Sequence, residues 1–269
     1  MESLFDRART CIAVRDPNEK VMLTRELAAS WRAGRCALTA SGPAEPIAIP
    51  GRPEKPELVH PSKVKSRKLG TPRGQAVFLH ALVHIEFNAI NLAWDAVYRF
   101  RDLPADFYSD WINVAEDEAL HFQLLSRRLQ ETGHVYGDFP AHNGLWEMAC
   151  KTANDVLLRM ALVPRVLEAR GLDVTPGMIA RLQQAGDHRS AAILGRILDD
   201  EIGHVLAGSR WFRYICRQRE LEPAQTFAGL LRQHLPGHHS MPLNPAARSQ
   251  AGFSREELDM LGAMTGTGA

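Results

Sequence analysis

Two copies of one short pattern contain the residues of this chain that are best suited to chemistry. The copies are Asp117-Glu118-x-x-His121 and Asp200-Glu201-x-x-His204. A Glu and a His three residues apart lie on the same face of an α-helix, about one turn from each other. Each copy can therefore offer a carboxylate and an imidazole to one ion, so the doubled pattern predicts two metal-binding helices.

Each copy is preceded by a glutamate at nearly the same distance. Glu86 lies 32 residues before Glu118, and Glu168 lies 33 residues before Glu201. A helical bundle that binds two metal ions takes one Glu from each of two helices and a Glu-x-x-His set from each of two others. The chain therefore reads as two helical hairpins in tandem. The predicted metal ligands are Glu86, Glu118, His121, Glu168, Glu201 and His204.

The composition of this ligand set indicates the kind of metal. Four carboxylates and two imidazoles suit iron or manganese better than a structural zinc, which thiolates usually hold. We predict two metal ions, with iron favoured and manganese as the alternative. Asp117 and Asp200 each come directly before a ligand glutamate. They are predicted to accept a hydrogen bond from the second N–H of a ligating histidine, with simple solvent-facing acidity as the alternative.

Two long helices must position the first ligand set. Apolar residues at helical spacing predict one helix from about Pro72 to Arg101 and another from about Pro104 to Glu131. Glu86 and Glu118 each lie within the apolar stripe of their helix. Because a buried carboxylate must be paired, bound to a cation or protonated, both positions favour a metal site.

The second hairpin requires a similar arrangement. The periodicity predicts helices at about 145–170, 175–185 and 188–219. Gly171 is expected to end the first of them, and Pro164 is expected to kink it one turn before Glu168. The kink either directs Glu168 or is an ordinary distortion. Gly203 and Gly208 weaken the last helix by about 1 kcal/mol each, which close packing or room beside the metal would explain.

The flanking segments complete the expected domain organisation. We predict four parts: N-terminal helices over 1–35, a Pro-rich extended arm over 36–72, a di-metal four-helix bundle over 73–220 and a C-terminal helical appendage over 221–269. The arm includes the basic run Lys63-Val64-Lys65-Ser66-Arg67-Lys68, which either lies on the surface or touches a polyanion. The loop with His238-His239 is interpreted as a surface loop rather than a metal site, and the roles of arm and loop stay open.

Histidines outside the doubled pattern are interpreted differently. His80 and His84 are four residues apart, as in a zinc-protease helix, but position 81 is alanine where that motif has its catalytic glutamate. They are predicted to be packing residues, or residues that support the ligands through hydrogen bonds, rather than ligands themselves. The following loop, 133–143, is either a plain crossover or a rim over the site. Tyr98, Tyr108 and Tyr136 either relay an electron or, more simply, pack.

Composition bounds the remaining possibilities. The 269 residues are 45% hydrophobic, and 32 Lys and Arg balance 31 Asp and Glu. This balance requires neither nucleic acid nor an anionic membrane as a partner. The charged start is not followed by the apolar run of a signal peptide, and no apolar stretch of bilayer-spanning length is recognised. Four scattered cysteines without a C-x-x-C pair are typical of a reduced protein. We expect a cytoplasmic location.

The doubled pattern resembles the ferritin-like di-iron carboxylate superfamily. The lead-in from Gly51 to Val59 and the run from His80 to Glu86 more narrowly resemble the bacterial domain-of-unknown-function family 455. The resemblance covers about residues 50–220. It implies an all-α, ferritin-like four-helix bundle and assigns metal-binding roles to the six predicted ligands. A similar domain in a tRNA hydroxylase makes a modified tRNA nucleoside a remote candidate substrate.

Three functional hypotheses follow. The first is an enzyme that uses two iron ions and O2 to oxidise or hydroxylate a small organic substrate, with an unidentified electron donor. The second is a ferroxidase or another iron-handling protein. The third is a non-catalytic metal-binding protein that acts through a partner. A homodimer is compatible with all three, and no membrane partner is expected.

Overall fold

The computed structural model describes residues 2–40, 42–64, 69–235 and 243–265. Most of the described chain is helical and its strands are only two residues long, which confirms the predicted all-α fold. It forms two compact units, Met1–Lys151 (unit 1) and Thr152–Ala269 (unit 2). That residues 73–220 form a single four-helix bundle stays a prediction.

Unit 1 contains five helices and a small parallel strand pair among its described residues. The helices are α1 (Leu4–Ala13), α2 (Pro17–Arg32), α3 (Pro72–Arg99), α4 (Ala105–Glu131) and α5 (Gly144–Lys151), and the strands are β1 (Glu2–Ser3) and β2 (Cys36–Ala37). Thr71 begins α3, because its hydroxyl accepts a hydrogen bond from the Gly74 N–H at 3.1 Å. The predicted bounds of α3 and α4 are confirmed to within two residues.

The short connection between α3 and α4 makes them antiparallel neighbours. Glu86 lies 13 residues before the end of α3, and Glu118 lies 13 residues after the start of α4. Equal distances from the turn place the two glutamates at the same level of the hairpin. The hairpin thus provides the geometry that the first ligand set needs.

The N-terminal helices are fastened to this hairpin by charged side chains. The fully buried Lys20 donates hydrogen bonds to the Cys11 carbonyl at 2.7 Å, to the Ile12 carbonyl at 3.0 Å and to Asn91 Oδ1 on α3 at 2.7 Å. Arg32 at the end of α2 binds both carboxylate oxygens of Glu116 on α4, at 2.7 and 2.9 Å. Glu116 therefore belongs to a surface ion pair, beside the buried ligand Glu118.

The Pro-rich arm lies extended on the surface of unit 1, which was one of the two interpretations of its sequence. The Gly51 N–H donates to the Ile12 carbonyl at 2.8 Å, and the Ala48 carbonyl accepts from the Trp146 indole at 3.1 Å. Gly51 is required here, because a Cβ would come within 2.1 Å of the Ala13 carbonyl oxygen. Residues 65–68 of the basic run lie outside the described residues.

One correction concerns the longest apolar segment. The helix Pro72–Arg99 is long and apolar enough to cross a membrane by length and composition, although no such stretch was recognised in the sequence. However, 83% of its most apolar window is buried within the protein. This is typical of the core helix of a soluble protein. The cytoplasmic location itself stays a prediction.

Unit 2 is built from one long interrupted helix, one long regular helix and three short ones. Its described elements are α6 (Val156–Leu162), a π-helical turn (Val163–Glu168), α7 (Ala169–Gln184), α8 (His188–Gln218), α9 (Pro223–His234), α10 (Pro245–Gln250) and α11 (Arg255–Thr265). The loop with His238-His239 lies outside the described residues.

The helix predicted at 145–170 begins where expected, at Gly144, but it is interrupted and its predicted end is wrong. Helix α5 stops at Lys151, and a new helix begins after Asp155, whose carboxylate accepts from the Leu157 N–H at 2.9 Å. Gly171 does not end the helix, which continues to Gln184. The propensity cost of glycine, about 1 kcal/mol, is outweighed by packing, because the next residue, Leu172, is fully buried.

Pro164 lies in the π-helical turn and packs against the backbone of α8. A Cβ at Gly208 would come within 2.3 Å of Pro164 Cβ and 2.4 Å of Pro164 Cγ. The close-packing explanation is therefore correct for Gly208. Gly203 is different, because it is exposed and nothing lies within 4 Å of the position of a Cβ there.

This difference predicts opposite effects of the same substitution. Gly208→Ala is expected to lower the free energy of unfolding by about 1–3 kcal/mol, because the methyl group overlaps the proline ring. Gly203→Ala is expected to be neutral or to raise it by up to about 1 kcal/mol through helix propensity. Urea unfolding followed by circular dichroism measures both. Equal effects of the two substitutions would contradict the close contact at Gly208.

Candidate metal centre

Three predicted ligands of unit 1 converge in its interior. One ligand atom from each of Glu86, Glu118 and His121 lies within 4.8 Å of the others. His121 Nδ1 is 3.4 Å from Glu118 Oε2 and 3.7 Å from Glu86 Oε2. Glu118 and His121 are fully buried, and Glu86 is only 5% exposed. This group could hold a metal ion, and its oxygen-rich donors fit the predicted metals.

The electrostatics of the group indicate a strong demand for positive charge. Burial raises the pKa of Glu86 well above its ordinary value, and the neighbouring Glu118 raises it further. Burial lowers the pKa of His121, but the nearby carboxylates of Glu118 and Glu86 outweigh this effect and raise it to about 11. Without a cation, the group therefore retains protons to balance its carboxylates. A divalent cation can take over this role.

A hydrogen-bonded histidine lies on α3 two residues before Glu86. His84 Nε2 is 3.0 Å from the His142 carbonyl oxygen, and His84 Nδ1 is 2.9 Å from the Tyr136 hydroxyl. Because a carbonyl can only accept, we assign the ring proton to Nε2, and Nδ1 accepts from Tyr136. Burial lowers the pKa of His84 to about 4, so the ring is neutral. His84 is a packing residue, as predicted.

The loop at 133–143 is fixed to the α3–α4 hairpin. The Gly137 N–H donates to His80 Nε2 at 2.9 Å, so the prediction for His80 is also confirmed. The Tyr136 ring packs against Phe87 and Phe122, with ring centroids 5.5 and 5.7 Å away. These phenylalanines directly follow Glu86 and His121 in the sequence. The loop is therefore a wall beside the ligand-bearing helices rather than a loose crossover.

The Pro-rich arm supports the same wall from its other side. The Val59 N–H donates to the Ala141 carbonyl at 2.8 Å, and the Ala141 N–H donates to the Glu57 carbonyl at 3.0 Å. Sequence reasoning did not identify Tyr136, His142 or the arm as neighbours of His84. No local signal could have done so, because these partners are more than 50 residues from His84 or belong to irregular segments.

The second ligand set belongs to unit 2. His204 Nδ1 is 3.7 Å from Glu201 Oε2 on the same face of α8, as the three-residue spacing predicted. Glu168 is the last residue of the π-helical turn. Among the residues described in unit 2, Glu168 does not join Glu201 and His204 in a group as compact as that of unit 1. The complete six-residue ligand set stays a prediction.

The two aspartates predicted to support the histidines differ in their surroundings. Asp200 is one-third exposed and lies 3.7 Å from Arg196, one turn earlier on α8. Asp117 is partly buried on α4. Neither observation tests the proposed hydrogen bond to a ligating histidine, which stays a prediction for both.

Comparisons with known proteins identify relatives without an assigned function. A family described as "Protein of unknown function (DUF455)" matches residues 13–259. An uncharacterized protein of Haemophilus influenzae is 47% identical over 216 residues, which are 78% of this chain and 75% of the relative. No solved structure matches the chain.

The hydrogen bond between Tyr136 and His84 predicts a specific loss of stability. Tyr136→Phe is expected to lower the free energy of unfolding by about 1–3 kcal/mol, because buried Nδ1 then lacks its donor. Tyr214→Phe provides a control at a half-buried tyrosine of unit 2. This substitution is expected to change the free energy of unfolding by less than about 0.5 kcal/mol. Urea unfolding measures both. An unchanged stability of Tyr136→Phe would contradict the assigned hydrogen bond.

Proposed function

The chain belongs to the DUF455 family of proteins of unknown function, and we propose that it is a ferritin-like di-metal protein that oxidises an organic substrate. In this proposal the six predicted ligands bind two metal ions, with Glu86, Glu118 and His121 provided by unit 1 and Glu168, Glu201 and His204 by unit 2. Iron is favoured and manganese is the alternative, because the donors are four carboxylates and two imidazoles.

The observation that carries the proposal is the burial of Glu118 beside Glu86 and His121. Neither Glu118 nor His121 has any exposed surface, and Glu86 has almost none. Burying two carboxylates in one place is costly unless protons or a cation neutralise them, and a single divalent ion can balance both carboxylates at once.

The role of the protein residues follows from their positions. When bound, a reduced metal pair supplies the electrons that O2 chemistry requires. The carboxylates and imidazoles hold the ions, and the apolar stripes around them keep bulk water away. In unit 1 the loop at 133–143 packs through Tyr136 against Phe87 and Phe122 and so holds the side of the hairpin that carries these two rings. The proposed substrate is an organic small molecule, and the proposed electron donor is a separate partner.

Metal binding to this site must displace protons. Glu86 has a raised pKa, and the pKa of His121 is raised to about 11. His121 therefore carries a proton at neutral pH in the metal-free protein, and the raised pKa of Glu86 favours its protonated form, so a bound cation displaces protons from this group. We expect metal affinity to rise with pH and protons to be released on binding, which calorimetry in buffers of different ionisation enthalpy measures.

Metal stoichiometry tests the proposal directly. After anaerobic loading with Fe(II), we expect two iron ions per chain and, on exposure to O2, a ferric absorption band. Glu118→Ala and Glu201→Ala are each expected to lose iron and band, because each removes a carboxylate ligand. The measurements are metal analysis and the absorption spectrum.

Glu116→Ala is the matched control for these variants. Glu116 lies on the same helix, two residues before Glu118, but its carboxylate binds Arg32 at the surface. The Glu116→Ala variant is expected to retain both iron ions. Wild-type protein with no bound iron, or with iron that survives both ligand substitutions, would overturn the proposal. Iron oxidation without turnover of any organic substrate would instead favour an iron-handling protein.

A further inference from the structure

The π-helical turn of unit 2 ends at a predicted metal ligand. It spans Val163–Glu168, and the Ala169 N–H after it donates to the carbonyl of Pro164, five residues earlier. Such wide turns are rare within α-helices and often occur at functional sites. Pro164 lacks an N–H and its ring would clash with the preceding turn of a regular helix. A wide turn relieves this clash, but other contacts must stabilise the wide turn itself.

The residue after Pro164 is a completely buried arginine. Arg165 has 1% of its side chain exposed, and its Nη2 donates to Glu257 Oε1 at 2.6 Å. Within the described residues, its Nε and Nη1 make no hydrogen bond. Instead, aromatic rings surround the guanidinium. The centroids of Phe227, Phe253 and Phe212 lie 4.2, 4.5 and 4.6 Å from its Cζ.

This cage connects the wide turn to three separate parts of unit 2. Phe212 belongs to α8, Phe227 to α9, and Glu257 to α11. Cation–π contacts and the ion pair offset the desolvation of the guanidinium. Lysine could not replace it equally well, because only the planar guanidinium can stack on the rings while it donates to a carboxylate. The C-terminal helices thus hold the turn rather than merely following it.

The contact between Pro164 and Gly208 fixes where Glu168 lies along α8. Helices α7 and α8 are joined by a short turn and are antiparallel neighbours. Glu168 lies four residues after Pro164, and His204 lies four residues before Gly208. Because the two helices are antiparallel, one turn forward from Pro164 and one turn back from Gly208 lead to the same level, so Glu168 lies level with His204. Any shift of the wide turn would therefore move Glu168 relative to Glu201 and His204.

From these contacts we infer that Arg165 is a positioning residue, which holds the π-helical turn so that Glu168 is directed towards the metal ligands of α8. The inference rests on the proposed function, because it concerns a residue that supports one of the proposed ligands. It also gives the C-terminal helices a role in metal binding, although none of the six predicted ligands belongs to them.

The test removes the cage interaction without leaving a buried charge. In the double variant Arg165→Met, Glu257→Gln both charges disappear, and apolar replacement of a buried ion pair is often tolerated. Binding is measured with Co(II), whose absorption bands report ligand geometry. We expect about 10- to 100-fold weaker binding of one of two Co(II) ions, the range typical for residues that support ligands. Hydrogen exchange of the Ala169 amide should become faster in the metal-free protein.

A combination with Glu168→Gln distinguishes positioning from a general structural effect. Glu168→Gln alone is expected to weaken the same Co(II) ion. If Arg165 acts through Glu168, adding the double variant to Glu168→Gln will not weaken binding further. Additive losses in the triple variant would overturn the inference, because the cage would then affect the metal by another route.

Unit 2 provides a matched control in its second buried ion pair. Arg248 binds both carboxylate oxygens of Asp173, with distances of 2.7 to 3.2 Å, and it is also buried. Arg248→Met, Asp173→Asn is expected to leave Co(II) affinity unchanged. This pair lies outside the wide turn, and although Arg248 also stacks on the cage ring Phe253 at 4.9 Å, its loss leaves the contact of Arg165 with Glu257 in place. Weaker binding in this control, equal to that of the Arg165 variant, would overturn the inference.

The inference and the proposed function fail in different ways. If wild-type protein binds no Co(II), or if Glu118→Ala binds it normally, the proposed function is wrong. If Glu118→Ala loses Co(II) but the Arg165 and Glu257 double variant binds it normally, only the positioning role is wrong. If Glu168→Gln binds Co(II) normally, Glu168 is not a ligand and the positioning role fails with it.

Discussion

Two glutamates and a histidine share the interior of the α3–α4 hairpin, and this burial of carboxylates is the constraint on which the rest of unit 1 depends. Glu118 has no exposed surface and Glu86 almost none, so both require a nearby positive charge. Lys20 and Arg32 fasten the N-terminal helices to the same hairpin, and the arm and loop cover it. The ligands themselves are shielded from water, which makes a bound cation the strongest counter-charge available.

In unit 2 a different interaction has the corresponding role. The wide turn that ends at Glu168 is held by a glycine contact at Pro164 and by the aromatic cage around Arg165. A buried guanidinium is an expensive way to stabilise a fold. Its retention is easier to understand if it specifies one position of the turn. The C-terminal helices, which resemble an appendage in the sequence, provide part of the cage.

The predictions that succeeded depend on local rules. Apolar periodicity located α3, α4 and α8 to within two residues, and the three-residue spacing correctly placed Glu201 and His204 on one face. The failures occurred where tertiary packing outweighed local propensity. Gly171 continues a helix because its neighbour Leu172 is buried, and the apolar α3 is a core helix because other segments cover it. The six-residue ligand set itself remains a prediction.

The sequence alone determined the all-α class, the helical hairpins and the residues able to bind metal, because these follow from residue types repeated at fixed spacing along one helix. Only the tertiary structure decided the wide turn before Glu168, the cage around Arg165 and the hydrogen bond between Tyr136 and His84. The cage and the hydrogen bond join residues that lie far apart in the chain, and the wide turn is a conformation that local propensity disfavours. Their energies come from packing between elements, which no local pattern encodes.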